Sequence, residues 1–231
     1  MMTGFHATPQ NTSAAMPIKK LTKDKPRPRG RPRPEDIEAI ENKLLDVALK
    51  EFLQYGYGDA AMARIAQAAG GSKTTLYSRY PSKEELFRAI ILHHIERAAP
   101  EAALRSKAGL LGLEQGLKSF ANHMLEHSLQ SDIMGVNKLI YSESFRFPEL
   151  AAAAVEKTNR GITRISGFIN ESAVRDGIPC MDSTAVAKVF IFMIRGWYMH
   201  MLLTNQAISV AEREKWVEQA VNTLLQSREK W

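Results

Sequence analysis

A single cysteine, Cys180, is all the thiol chemistry that 231 residues carry. One thiol excludes an internal disulfide framework and any multi-cysteine zinc site, and it suits a reducing cytoplasm. No basic residue adjoins it in sequence to lower its pKa, so no redox role is expected of it. No uninterrupted apolar run approaches the ~18 residues of a membrane span, and the N-terminus lacks the apolar core of a secretory signal. The chain therefore reads as cytoplasmic, with no membrane partner. Strand alternation is missing throughout, which predicts an all-α protein. Catalytic machinery is missing too: there is no Gly-x-Ser-x-Gly, no phosphate-binding glycine loop and no dinucleotide fingerprint. His123 and His127 have metal-pair spacing, but Met124 stands where a zinc hydrolase places glutamate, and the adjacent His93 and His94 point apart. The expectation is a protein that is not an enzyme, with no cofactor and no metal.

Proline and charge are present but gathered at one end. Residues 1–34 hold six of the ten prolines, with eight Lys/Arg against one Asp, whereas residues 35–231 are close to neutral. A segment so poor in large apolar side chains cannot offset its ordering entropy, so 1–34 is expected to be a disordered basic tail. Within it Arg29-Gly30-Arg31-Pro32 resembles the core of an AT-hook, which would lay Arg29 and Arg31 along a narrow A·T-rich minor groove. A sequence-blind electrostatic tether is the equal alternative. The remainder, in a chain 45% apolar, suffices for a sizeable core.

That remainder opens as a run of short helices. Ile37, Ile40, Leu44, Val47, Ala48 and Phe52 fall on one stripe of a helix from Glu35 to Tyr55, which Gly56-Tyr57-Gly58 ends. Met62, Ile65, Ala66 and Ala69 form the stripe of a second helix, stopped by Gly70-Gly71. Ser72 is placed to cap a third. Around its one obvious core anchor, Leu76, stand Lys73, Thr74, Thr75, Tyr77, Ser78 and Arg79. A helix polar nearly all round needs an outside partner, and phosphates with base edges are such a partner. Pro81 then restarts the chain, with Ser82 as N-cap and Glu85 completing a capping box. Between Ala60 and Arg88 five basic residues face two acids. The DNA-binding candidates are Ser72, Lys73, Thr74, Thr75, Tyr77, Ser78, Arg79 and Lys83, with Arg64 as a phosphate contact or a surface ion pair and Arg29 and Arg31 in the tail.

The order and spacing of Gly56-Tyr57, Ile65-Ala66, Ala69-Gly70, Leu76-Tyr77 and Tyr80-Pro81-Ser82-Lys83-Glu84 resemble the tetracycline-repressor (TetR) family of one-component bacterial regulators. The resemblance covers residues 36 to 98 in detail and the rest by helix content and length, with a C-terminal domain of the AefR or AcrR kind. Two positions depart from it. Ala60-Ala61 stand where the family places Thr, which removes a helix cap unless Asp59 supplies one, and Arg79 stands where many members carry an aromatic or His. The resemblance implies a homodimer on a palindromic double-stranded DNA operator, released by a small-molecule effector.

Beyond the reader, Leu86, Phe87, Ile90, Ile91 and Ile95 continue one helix from Ser82 to about Ala98, shared between reader and core. Further helices are expected from Gly112 to Leu129, Asp132 to Phe145 and Pro148 to Asp176. Phe120, Met124, Tyr141, Phe145, Ile165, Phe168 and Trp197 are candidates to line a pocket for a small apolar molecule, against the plainer alternative of ordinary core. The helix 184–203 is apolar on two faces, Val186, Val189, Phe190, Met193 and Trp197 on one and Ile191, Ile194, Tyr198 and Leu202 on the other. It must be covered twice, and with the helix 209–227 it is expected to meet a second copy. The expected division is a tail (1–34), a helix-turn-helix domain (35–88) and a helical ligand-binding and dimerisation domain (89–231). An architectural DNA-binding protein driven by the tail is the competing reading.

Overall fold

The structure, a computed structural model, describes residues 34–97 and 112–231. Arg29 and Arg31 lie outside the described residues. Nine α-helices are present among the described residues, and no strand. They are α1 (Pro34–Asp59), α2 (Met62–Ala68), α3 (Lys73–Arg79), α4 (Lys83–Arg97), α5 (Leu113–Ser128), α6 (Ser131–Glu143), α7 (Pro148–Asp176), α8 (Ser183–Thr204) and α9 (Val210–Leu225). The chain is all-α, as its missing alternation predicts.

Local chemistry sets most of the ends. Gly56 takes φ 69° and ψ 177°, a conformation closed to other residues, and breaks α1 before its nominal end. At the end of α2 Gly70, at φ 74°, donates to the Gln67 carbonyl and Gly71 donates to that of Ala66, the paired bonds of a Schellman turn. Ser72, Ser82 and Asp182 each accept a backbone N–H three residues on, and Ser209 with Glu212 forms a full reciprocal capping box. Asp59 does not cap α2. Glu51, reaching across from α1, accepts the Ala61 N–H at 2.9 Å instead.

Two apolar clusters fill the interior. The first joins Phe52, Ile65, Leu76, Phe87 and Ile90 of the reader to Val136, Ile140, Phe147 and Leu150 of α6 and α7. The second packs α5, α7, α8 and α9 through Leu117, Ile165, Phe190, Ile194 and Val217. Gly116 of α5 is what lets α7 come close, because a Cβ there would run into the Phe168 ring. Helix α8 is the most apolar element. By length and composition alone it could cross a membrane, at mean hydropathy 1.3, yet it buries Phe190, Ile191, Ile194, Tyr198 and Leu202 inside the fold. Its outer side leaves Val189 51%, Phe192 57% and Leu203 76% exposed.

Candidate nucleic-acid interface and ligand cavity

Helix α3 is held by one side chain. Leu76 is 3% exposed, while Lys73, Thr74, Thr75, Tyr77, Ser78 and Arg79 all face outward. Their hydrogen bonding divides them. Ser72 Oγ accepts the Thr75 N–H and shares a proton with Thr75 Oγ1 at 2.9 Å, and Ser78 Oγ donates to the Thr75 carbonyl, so these three hydroxyls finish the helix itself. Arg79 leans toward Glu41 at 3.5 Å, beside Tyr80, whose hydroxyl donates to the same carboxylate at 2.7 Å. Lys73, Thr74 and Tyr77 make no side-chain hydrogen bond among the described residues, which leaves them as the groups that face outward unspent.

The flanking cations are more occupied than the sequence alone suggests. Arg64 donates to Glu51 Oε1 at 2.7 Å and to the Asp59 carbonyl, with its guanidinium over the Tyr55 ring at 4.3 Å. Burial works to raise the Glu51 carboxyl, but the hydrogen bonds from Arg64 and Ala61 outweigh it and hold the group below its usual range. The ion-pair alternative describes this Arg64 geometry. Lys83 Nζ donates to the carbonyls of Gly58 and Ala60 at 2.8 and 3.1 Å and lies over Tyr57, tying α4 to the turn behind α2. The missing threonine at position 60 or 61 is thus offset by a carboxylate and two cations from elsewhere in the chain.

A cavity of about 140 Å³ opens between α4, α5, α6, α7 and α8. Of the seven residues expected at a pocket, Phe120 and Met124 line it. Tyr141 is outside the lining, 39% exposed, and Phe145 projects into solvent, 99% exposed. Ile165 and Phe168 are ordinary core, and Trp197 stacks on Trp216 at 5.9 Å. Helical spacing gives a stripe but not the side of the bundle to which the stripe turns, and this is why the five fall elsewhere. The lining also departs from the apolar expectation. Ile133, Val136, Ile140 and Ile191 are joined there by four cations, Lys157, Arg160, Arg164 and Arg195. Tyr198 accepts a hydrogen bond from Asn137 Nδ2 at 2.7 Å on the cavity's edge. The sequence leaves Arg146, Arg164 and Arg195 each open to an anion or to a carboxylate of the fold: Arg146 pairs with Glu143, and the other two line the cavity. Lys157 and Arg160 give no signal in the sequence, being two cations on a long polar face.

Helix α7 joins this cavity to the reader. Near its start Glu149 accepts from Arg88 Nε at 2.6 Å, and Phe147 meets Tyr57 and Phe87 with ring centroids 5.1 Å away in each case. About two turns beyond Glu149, the same helix carries Lys157. Helix α4 makes a second bridge, with Phe87 in the reader's core and Ile95 at the cavity.

A polar helix behind a tight glycine turn, held by a single leucine in an all-helical chain, defines a helix-turn-helix DNA-binding transcriptional regulator. The chain belongs to the tetR family of bacterial regulatory proteins: the profile of that description matches residues 44–90, and that of the AefR-like transcriptional repressor C-terminal domain matches residues 115–227. The HTH-type transcriptional repressor ComR of Escherichia coli K12 is 41% identical over 71 residues, 31% of this chain and only about a third, 32%, of that relative. Among solved structures, a tetR-family transcriptional regulator from Mesorhizobium loti superposes with a TM-score of 0.70 at 22% identity, over 82% of this chain and 96% of that one. The flavonoid-responsive regulator FrrA superposes at 0.62 with 27% identity, over 82% and 97%.

Proposed function

We propose that the protein is a homodimeric repressor in the cytoplasm that is released from a palindromic operator by a small molecule bound in the cavity. Residues 35–88 read DNA, and residues 89–231 bind the ligand and pair with a second copy. The observation that carries this reading is α3: an exposed face of Lys73, Thr74 and Tyr77 on a helix anchored by Leu76 alone. Lys73 and Tyr77 suit phosphate oxygens, and Thr74 offers a hydroxyl and a methyl to a base edge. The preformed reader favours operator choice by α3 over binding driven by the tail.

Release follows from the two bridging helices. A ligand between α4 and α7 favours one spacing of those helices, and the reader follows α4 through Phe87 and α7 through Phe147. By linkage, ligand and operator weaken each other by the same factor. Operator fragments recovered with the protein from cells provide the test. Tyr77→Ala and Lys73→Ala are each expected to weaken binding about tenfold, and Lys73→Ala to lower the salt slope by about one per reading helix. Unchanged affinity in both variants at moderate salt refutes the assignment.

A further inference from the structure

The cavity's lining gathers cationic charge, half-buried at Lys157 and Arg195, with no carboxylate to balance it. Lys157, Arg160 and Arg195 border it with Arg164, no Asp or Glu lines it, and no ion pair engages Lys157, Arg160 or Arg195 among the described residues. Arg195 has one long hydrogen bond, 3.4 Å to the Tyr141 hydroxyl, which leaves most of its donors unspent. Two neutral polar groups face the same space. His127 Nε2 is buried without a hydrogen-bond partner, and the Tyr198 hydroxyl, already accepting from Asn137, keeps its own proton for another acceptor. The rest of the lining is largely apolar, with Phe120, Ile133, Val136, Ile140 and Ile191 among it.

We propose that this cavity holds a small organic anion, a carboxylate or comparably charged group held by Lys157 and Arg195, on an apolar body of about one ring. The inference rests on the ligand-released reading above and names the class of its ligand. The size follows from the volume, since a cavity of about 150 Å³ takes a benzene ring. The charge follows from the donors: cations that are half-buried beside one another destabilise the empty site, and an anion relieves both their desolvation and their mutual repulsion. Burial first, then Arg195 and Arg160, already push the Lys157 ammonium down to about 8. Orientation follows from the lining's composition: the charged head goes to Lys157 and Arg195, and the ring goes to the apolar side chains of α5 and α6.

Three compounds of one shape separate charge from size: phenylacetate, phenylacetamide and phenethylamine, titrated calorimetrically into the full chain. Phenylacetate is expected to bind at least about tenfold more tightly than the amide, with the amine weakest. Lys157→Met and Arg195→Met are each expected to remove most of that preference while leaving the amide's affinity within about twofold, and Lys157→Gln stands in if the methionine variant does not fold. Equal binding of acid and amide, a preference that survives both substitutions, or no binding of any of the three up to about 10 mM overturns the proposal. Adding phenylacetate to a protein–operator complex then separates the two readings. Charge-selective binding that leaves operator affinity unchanged keeps the anion site and removes the ligand-released mechanism.

Discussion

Burial, followed by the charges of Arg195 and Arg160, lowers Lys157 from 10.5 to about 8. Between those two values the unfolded chain holds a proton that the folded chain has given up, so stability contributed at this site rises as pH climbs from about 8 toward 10.5. Below pH 8 the ammonium is charged in both states and the folded protein carries the desolvation cost. Lys157→Met removes that cost at neutral pH, although water on the exposed side screens part of it. The variant is expected to melt about 2–4 °C above the parent at pH 7, the shift of about 1 kcal/mol in a chain of this size, and the gap is expected to close by about pH 10.5. Thermal melts of both proteins across that range check it, and a variant that melts lower at pH 7 contradicts it. A residue whose removal stabilises the protein is one retained for recognition.

Helix α7 shows what kind of information the sequence held and what it did not. Its bounds were legible, Pro148 at the start and Gly177 in the left-handed conformation at the end, because proline and glycine act locally. The same holds for Ser72 and Ser209 as caps, and for the polar surround of Leu76 that marks the reader. What α7 touches was not legible. Glu149 lies 61 residues from Arg88 and meets it only through tertiary packing, and Phe147 joins the aromatic cluster of Phe52, Tyr57 and Phe87 in the same way. Arg64, likewise, has its partners Glu51 and Tyr55 on another helix, so the sequence offers both a phosphate contact and a surface ion pair without naming the partner. Phe147 is fully buried, and Phe147→Leu keeps an apolar plug while loosening the link between cavity and reader. Operator affinity without ligand is expected to change by less than about threefold, whereas the ratio of affinities without and with ligand falls about three- to tenfold. Measuring both ratios on one operator fragment decides it; an unchanged ratio removes α7 from the coupling route.

At the scale of the whole molecule the unexplained surface is the outer side of α8. Val189, Phe192 and Leu203 recur there at helical spacing, each more than half exposed, on the most apolar helix of the chain. A domain that leaves such a stripe uncovered exposes a site for another apolar surface. The second copy proposed above would satisfy it by two-fold symmetry, each α8 meeting the other with α9 alongside. The pairing has a functional consequence, since two α3 helices on successive major-groove turns must lie roughly 34–36 Å apart. Val189→Glu combined with Phe192→Glu puts like charges against each other across such an interface and should yield monomers that keep their helicity. A monomer engages one half-site only, so operator affinity is expected to fall roughly 10²–10⁴-fold while affinity for an isolated half-site stays near its parent value. Sedimentation for the oligomeric state and titration against whole and half operators test both parts. If the doubly substituted protein still sediments as a dimer, the partner copy binds through another face and the operator geometry derived from α8 fails with it.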